Sequence, residues 1–173
     1  MNKKKKCKSS DYPDLWHIFA NDAALQENLW KGMRKLCKEK DKMDDEINMK
    51  PFGLWLSIGD GLLTFLKDSG LLKSKNYKKI KVCVPRDKLI VLRNKRDALF
   101  FHEKYGVEMK FYKIMIPMIN WTRARQDYPD KVGLVLAFKP NFDVKSPLFW
   151  LNSWEVPSVV LWDSFAVCSV LDK

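Results

Sequence analysis

Two short stretches of the chain carry residue types that could bind a planar ligand and act on it. The first is 50–57, "KPFGLWLS", in which Gly53, Trp55 and Ser57 fall on alternate positions. Successive side chains of an extended strand point to opposite faces. These three therefore share one face, and Leu54, Leu56 and Ile58 share the other. Glycine lets a ligand come close to the backbone, an indole offers a flat stacking surface, and a hydroxyl can hold a sugar oxygen. The same alternation also fits a core strand whose Trp is tucked under a helix. The second stretch is 150–163, "WLNSWEVPSVVLWD", with three Trp in thirteen positions and Glu155 among them. A carboxylate beside an indole, just before a strand, is a candidate catalytic acid. Trp154 and Ser158 lie in the same window as candidate binding residues. Asp163 is a weaker candidate at a strand end, where Asp commonly makes turns. The alternative is that the Trp residues fill the core while Glu155 sits on a solvated edge.

Other chemistries lack their residues. No P-loop, GxGxxG, GxSxG or HExxH pattern is present. The two histidines, His17 and His102, are too far apart in sequence to argue a triad. The four cysteines, Cys7, Cys37, Cys83 and Cys168, form no CxxC pair, so no metal site is expected and reduced thiols are the default. The net charge of +11 makes an anionic partner worth weighing, but five lysines lie within the first eight residues, leaving +6 for the rest. That lysine run reads as a solubilising tail, a nuclear address or a nucleic-acid-binding arm. Lys far outnumbers Arg, which provides poorly for bidentate recognition of phosphates. No apolar run is long enough to span a membrane, and no apolar segment follows the basic start as in a secretory signal. The expected setting is therefore cytoplasmic or nuclear, with no membrane partner.

The elements that must position these residues follow from periodicity. Residues 1–10 read as a disordered basic tail and 11–49 as a helical arm. Within the arm, 11–20 is a short apolar piece that docks on the domain. Leu25, Leu29, Trp30, Met33, Leu36 and Cys37 recur at helical spacing, so a helix over 22–40 needs a partner surface or a second copy. Residues 50–173 read as the catalytic-type domain. "GLWLSI" is a strand, "DGLLTFLKDSG" a helix stopped by Gly70, "YKKIKVCVP" and "LIVL" strands joined by a turn at 85–88. Asn94 caps a helix ending at Gly106, and Asn120 caps another over "WTRARQDY". "VEMKFYKIMIP" is ambiguous, "VGLVLAF" is a buried strand, "KPNFDVKSP" a loop, and the Trp-rich end reads as closing strands. The mixture predicts an α+β domain with small, largely antiparallel, split sheets and flanking helices.

The landmarks K-P-x-G-L-W-x-S, "KLIVLRNKRDALFFHEKYG", "INW" leading to "DYP", "GLVLAF" and W-x-x-x-W-E-V-x-S-x-x-x-W-D cover about residues 50 to 165. In this order they resemble a family of uncharacterised viral and phage proteins, similar in turn to small ADP-ribosyltransferase-like domains. The resemblance implies an enzyme that takes NAD as substrate, needs no metal, and transfers ADP-ribose to a protein or nucleic-acid acceptor. It implies that Gly53 holds the nicotinamide amide through its backbone, Trp55 stacks on the ring, and Ser57 holds a ribose hydroxyl. Trp154 and Ser158 would complete the binding set, and Glu155 would stabilise the cationic transition state. Position 153 is Ser, so the paired acid or amide that precedes this Glu in arginine-modifying members is missing, as is the Arg or His many members carry on the first strand. The alternative is a non-enzymatic protein-binding or nucleic-acid-binding accessory protein.

Overall fold

The computed structural model describes residues 11–12, 15–20, 47–70 and 77–162. Among these, the strands are β1 (Leu15–Ala20), β2 (Ile47–Asn48), β3 (Leu54–Ile58), β4 (Tyr77–Val82), β5 (Leu89–Leu92), β6 (Gly106–Phe111), β7 (Ile114–Asn120), β8 (Gly133–Leu136) and β9 (Ser158–Leu161). The α-helices are α1 (Gly61–Asp68), α2 (Lys95–Tyr105) and α3 (Trp121–Asp127), and short 3-10 turns occupy Arg86–Lys88 and Phe149–Trp154. A larger sheet has the order β4-β1-β3-β9-β8-β5 and a smaller one the order β2-β7-β6. The pairings are antiparallel except β5 with β8. The fold class is α+β, as the sequence predicts.

Both faces of the larger sheet are buried at its centre, which explains why "GLVL" and "SVVL" are unbroken apolar runs rather than alternating ones. One face carries Leu54, Leu56, Val135, Val159 and Leu161 in one core cluster with Leu15, Val82, Val84 and Leu89. The other carries Leu92, Leu134, Leu136 and Val160, packed on Ala98, Phe101 and Tyr105 of α2, on Trp121 and Ala124 of α3, and on Trp150, Leu151 and Trp154 of the second 3-10 turn. Helix ends are set locally. The Asn94 side chain accepts from the Asp97 N–H, and that of Asn120 from the Arg123 N–H, each satisfying an amide with no partner inside the helix. Past α1, Gly70 takes φ 68°, a conformation that costs glycine little.

Several segments differ from the sequence reading. Within the expected helical arm, residues 15–20 and 47–48 are strands. β1 lies inside the larger sheet, between β4 and β3, and β2 pairs with β7. β1 makes long-range pairs with β4 along its whole length, and such partners leave no trace in local sequence. The ambiguous "VEMKFYKIMIP" is a hairpin, β6–β7, closed by the two-residue turn Tyr112–Lys113. The Trp-rich end begins as a 3-10 turn rather than a strand. Trp154 follows Leu151 by three residues and Trp150 by four, about one helical turn, and all three are buried. Cys83 is disulfide-bonded, where a reduced thiol is the sequence expectation, because scattered cysteines do not reveal which are neighbours in space. The basic tail 1–10, the partner-seeking helix at 22–40 and Asp163 lie outside the described residues. Among the described residues, no helix is long and apolar enough to cross a membrane.

Helices α2 and α3 are joined by a polar clasp at their ends. The Tyr105 hydroxyl donates to the Asp127 carboxylate at 3.0 Å, and the Lys104 ammonium pairs with the same oxygen at 2.9 Å. Lys104, and then Tyr105, hold the Asp127 carboxyl below its ordinary range. Burial pushes the Tyr105 phenol up to about 12 from its ordinary 10.0. A raised phenol pKa means that the unfolded chain ionises first. Tyr105 therefore contributes stability that is fully present below pH 10.0 and is lost as pH rises towards about 12. Denaturant unfolding measured across this range should show a falling midpoint, and Tyr105→Phe should flatten that part of the slope.

Candidate functional site

The two stretches singled out in the sequence meet in space. β3 and β9 are antiparallel neighbours, with Leu54 opposite Leu161, Trp55 opposite Val160 and Ser57 opposite Ser158. The 3-10 turn that precedes β9 lays Trp154 against Trp55, with ring centroids 4.7 Å apart and planes at 76°, an edge-to-face contact. Lys50, just ahead of β3, pairs through Nζ with Glu155 Oε2 at 3.1 Å and also stands 5.2 Å from the Trp55 ring centroid. Lys50, Trp55, Trp154 and Glu155 thus form one corner of the molecule.

Each predicted residue has a distinct environment. Gly53 is small for a reason internal to the sheet. A Cβ there would lie 2.2 Å from the Leu161 carbonyl oxygen and 2.8 Å from Val160 Cγ2, so the close approach it permits is that of β9 and not of a ligand. Ser57 is fully buried. Its hydroxyl donates to the Gly59 carbonyl and accepts the Leu62 N–H, each at 3.1 Å. It thereby caps α1, whose N-terminal residue Asp60 makes no side-chain cap of its own. Ser158 is also buried, and its hydroxyl donates to the Val156 carbonyl at 2.8 Å. Trp154 is buried too, and its indole N–H has no acceptor among the described residues. The division of β3 into two faces holds, with Leu54, Leu56 and Ile58 in one cluster and Trp55 against the other. Helices and the 3-10 turn occupy much of the Gly–Trp–Ser side, however, so Trp55 is the one of its three residues that offers a partly exposed side-chain surface.

Glu155 is the most unusual position. Its φ of 54° and ψ of −45° lie where non-glycine residues are rarely found, and the Val156 N–H donates to the Trp154 carbonyl at 2.5 Å across it. This is a γ-turn of the strained hand, centred on the carboxylate residue. The strain is imposed from both sides, because Trp154 and Val156 are buried anchors. The Glu155 side chain is 46% exposed, and the ion pair with Lys50 is solvated enough to be worth at most about 1 kcal/mol. The pair therefore orients the carboxylate more than it stabilises the fold.

Sequence reasoning missed two cations. Lys50 is inside the quoted stretch, but nothing local says that it meets a residue 105 positions later. Arg125 of α3 donates through Nη2 to the Phe52 carbonyl at 3.3 Å and stacks 5.6 Å from the Trp162 ring, on the flank of the same segment. Its only sequence signal is its place in the helix after "INW". Among the described residues, no group of three His, Cys, Asp or Glu is placed to hold a metal ion. No family model, curated protein or solved structure matches the chain.

The environment of Gly53 makes a direct prediction. Gly53→Ala forces a methyl into the β9 backbone and should lower unfolding stability by roughly 1–3 kcal/mol, the usual scale of overpacking. Equilibrium unfolding in urea measures this. Unchanged stability would mean that β9 does not sit this close.

Proposed function

We propose that the Lys50–Trp55–Glu155 corner binds a nucleotide and that Glu155 is the catalytic carboxylate of an ADP-ribosyltransferase-like enzyme. NAD is its substrate and a macromolecule its acceptor. The observation that carries this reading is the backbone of Glu155. A non-glycine residue held at positive φ between two buried anchors, with its carboxylate half-exposed beside an indole, is strain kept at one chosen side chain. Division of the strands into two sheets, and the meeting of the early "KPFGLWLS" strand with the late "SWEVPS" segment, also support it.

The residues present fit such a ligand in part. The exposed portion of Trp55 suits stacking on a planar ring, and the buried Trp154 backs that ring edge-on without reaching the ligand. Lys50 is the cation suited to a phosphate. Gly53, Ser57 and Ser158 are committed to the sheet and to α1, so they shape the corner and do not contact the ligand. Glu155, aimed at the ribose, stabilises positive charge at the anomeric carbon as its bond to the nicotinamide nitrogen breaks and the electron pair leaves with that nitrogen. An acceptor nucleophile then forms the new bond to that carbon and gives up its proton. A fixed carboxylate facing developing charge lowers a barrier by several kcal/mol. A second reading, a non-enzymatic binding protein, is favoured by one observation: Lys50 already neutralises Glu155 in the free protein.

Incubation with millimolar NAD, followed by nicotinamide release and by mass gain on an acceptor, tests the enzyme reading. Glu155→Gln should reduce release about 100-fold or more while changing stability by less than about 1 kcal/mol. Full activity in Glu155→Gln would remove this residue from the mechanism. Absence of release from the unsubstituted chain, with no thermal shift on adding NAD, would leave the binding-protein reading in its place.

A further inference from the structure

The β6–β7 hairpin is apolar where a solvated ribbon should be polar. Residues paired across an antiparallel ribbon share a face. The pairs Val107–Met118, Met109–Ile116 and Phe111–Ile114 therefore make one face entirely apolar. Exposure is highest at the tip: Met109 is 44% exposed, Phe111 59%, Ile114 51% and Tyr112, at the apex, 86%. The opposite face near the tip pairs Lys110 with Met115, itself 49% exposed. The opposite face is therefore mixed, with Lys110 beside Met115 and the exposed Glu108 beside Pro117, and the end of the hairpin is apolar on one face and flanked by Lys110 and Lys113. On its open side β7 gains β2 only at Ile119 and Asn120, so the distal part of the hairpin is a two-stranded ribbon among the described residues.

Tyr112 adds an independent observation. It opens the two-residue turn with φ 55°, a position that Gly, Asn or Asp fills without strain. Among the described residues its ring meets only that of Phe111, at 5.0 Å edge-on. A large aromatic in a costly conformation at the most exposed point of the tip does not serve the core.

We propose that this hairpin tip inserts into the headgroup region of an anionic phospholipid bilayer. Two features select that occupant. Lys110 and Lys113 complement anionic headgroups while their stems lie along the apolar boundary, and Tyr112 has the apolar body and polar end that favour the interface. The patch is also small. Six side chains on one face fall well short of the 20–30 residues a side of a standard protein interface, so a second copy docked here gains little. The sequence reading expects no membrane partner because no segment can span a bilayer, but interfacial insertion needs no span.

The test is sedimentation of the full chain with phosphatidylcholine vesicles, with and without about 30% phosphatidylserine, at about 0.15 M salt. The full chain should pellet with the anionic vesicles. Phe111→Ser combined with Ile114→Ser should weaken partitioning about tenfold or more while circular dichroism and thermal unfolding stay unchanged. Tyr112→Gly relieves the turn, so it should unfold at a higher temperature and yet bind more weakly, a combination that a purely structural role would not produce. Equal pelleting of the unsubstituted chain and the double variant would assign binding to the lysine-rich N-terminus and overturn the proposal. So would failure of the unsubstituted chain to pellet. A dimer that the double variant dissociates, seen by light scattering, would mean that a second copy covers this face and would overturn it too.

Discussion

The larger sheet and the candidate site depend on how tightly β9 is wedged between β3 and β8. The Leu161 carbonyl oxygen lies 2.2 Å from where a Cβ of Gly53 would be, and the Val160 carbonyl oxygen lies 2.2 Å from where one of Gly133 would be. Side chains at these two positions would push β3 and β8 away from β9. With glycine at both, the strand formed late in the chain pairs on one side with β3 and on the other with β8. Both of its faces are then buried, as are those of β8.

That wedge also builds the candidate site. Once β9 is fixed, the 3-10 turn before it has to bring Trp150, Leu151 and Trp154 into the helical core within a few residues. The chain then returns to extended geometry at Ser158. Glu155 absorbs the change of direction. Its positive φ is the local cost of joining a buried 3-10 turn to a buried strand, and the result is a carboxylate presented beside Trp55 and Lys50. Strain at this residue and order in its surroundings are therefore one fact seen from two sides.

The hairpin obeys a different constraint. At its base, Ile119 is buried in the core shared with α2 and α3, so its register is set by packing. Toward the tip, Met109, Phe111, Ile114 and Met115 are exposed instead. The molecule thus combines a sheet whose apolar residues are nearly all inside with a ribbon whose apolar residues are outside. Exposed apolar clusters of this kind mark surfaces that meet something other than water.

Features governed by nearby residues were legible in the sequence. Asn94 and Asn120 cap helices because a short amide side chain reaches an amide three residues on. Gly70 ends α1 because a left-handed residue suits glycine, and the two faces of β3 follow from a period of two. The α+β class follows from the same local signals. Three outcomes were decided only by tertiary structure. They are the place of 15–20 inside the sheet, the commitment of Gly53 to β9, and the meeting of Lys50 with Glu155. Each joins residues distant in the chain, and neither propensity nor spacing encodes that. "KPFGLWLS" and "SWEVPS" could be recognised as chemically capable stretches, but only the β3–β9 pairing determined which of their residues remained exposed to act.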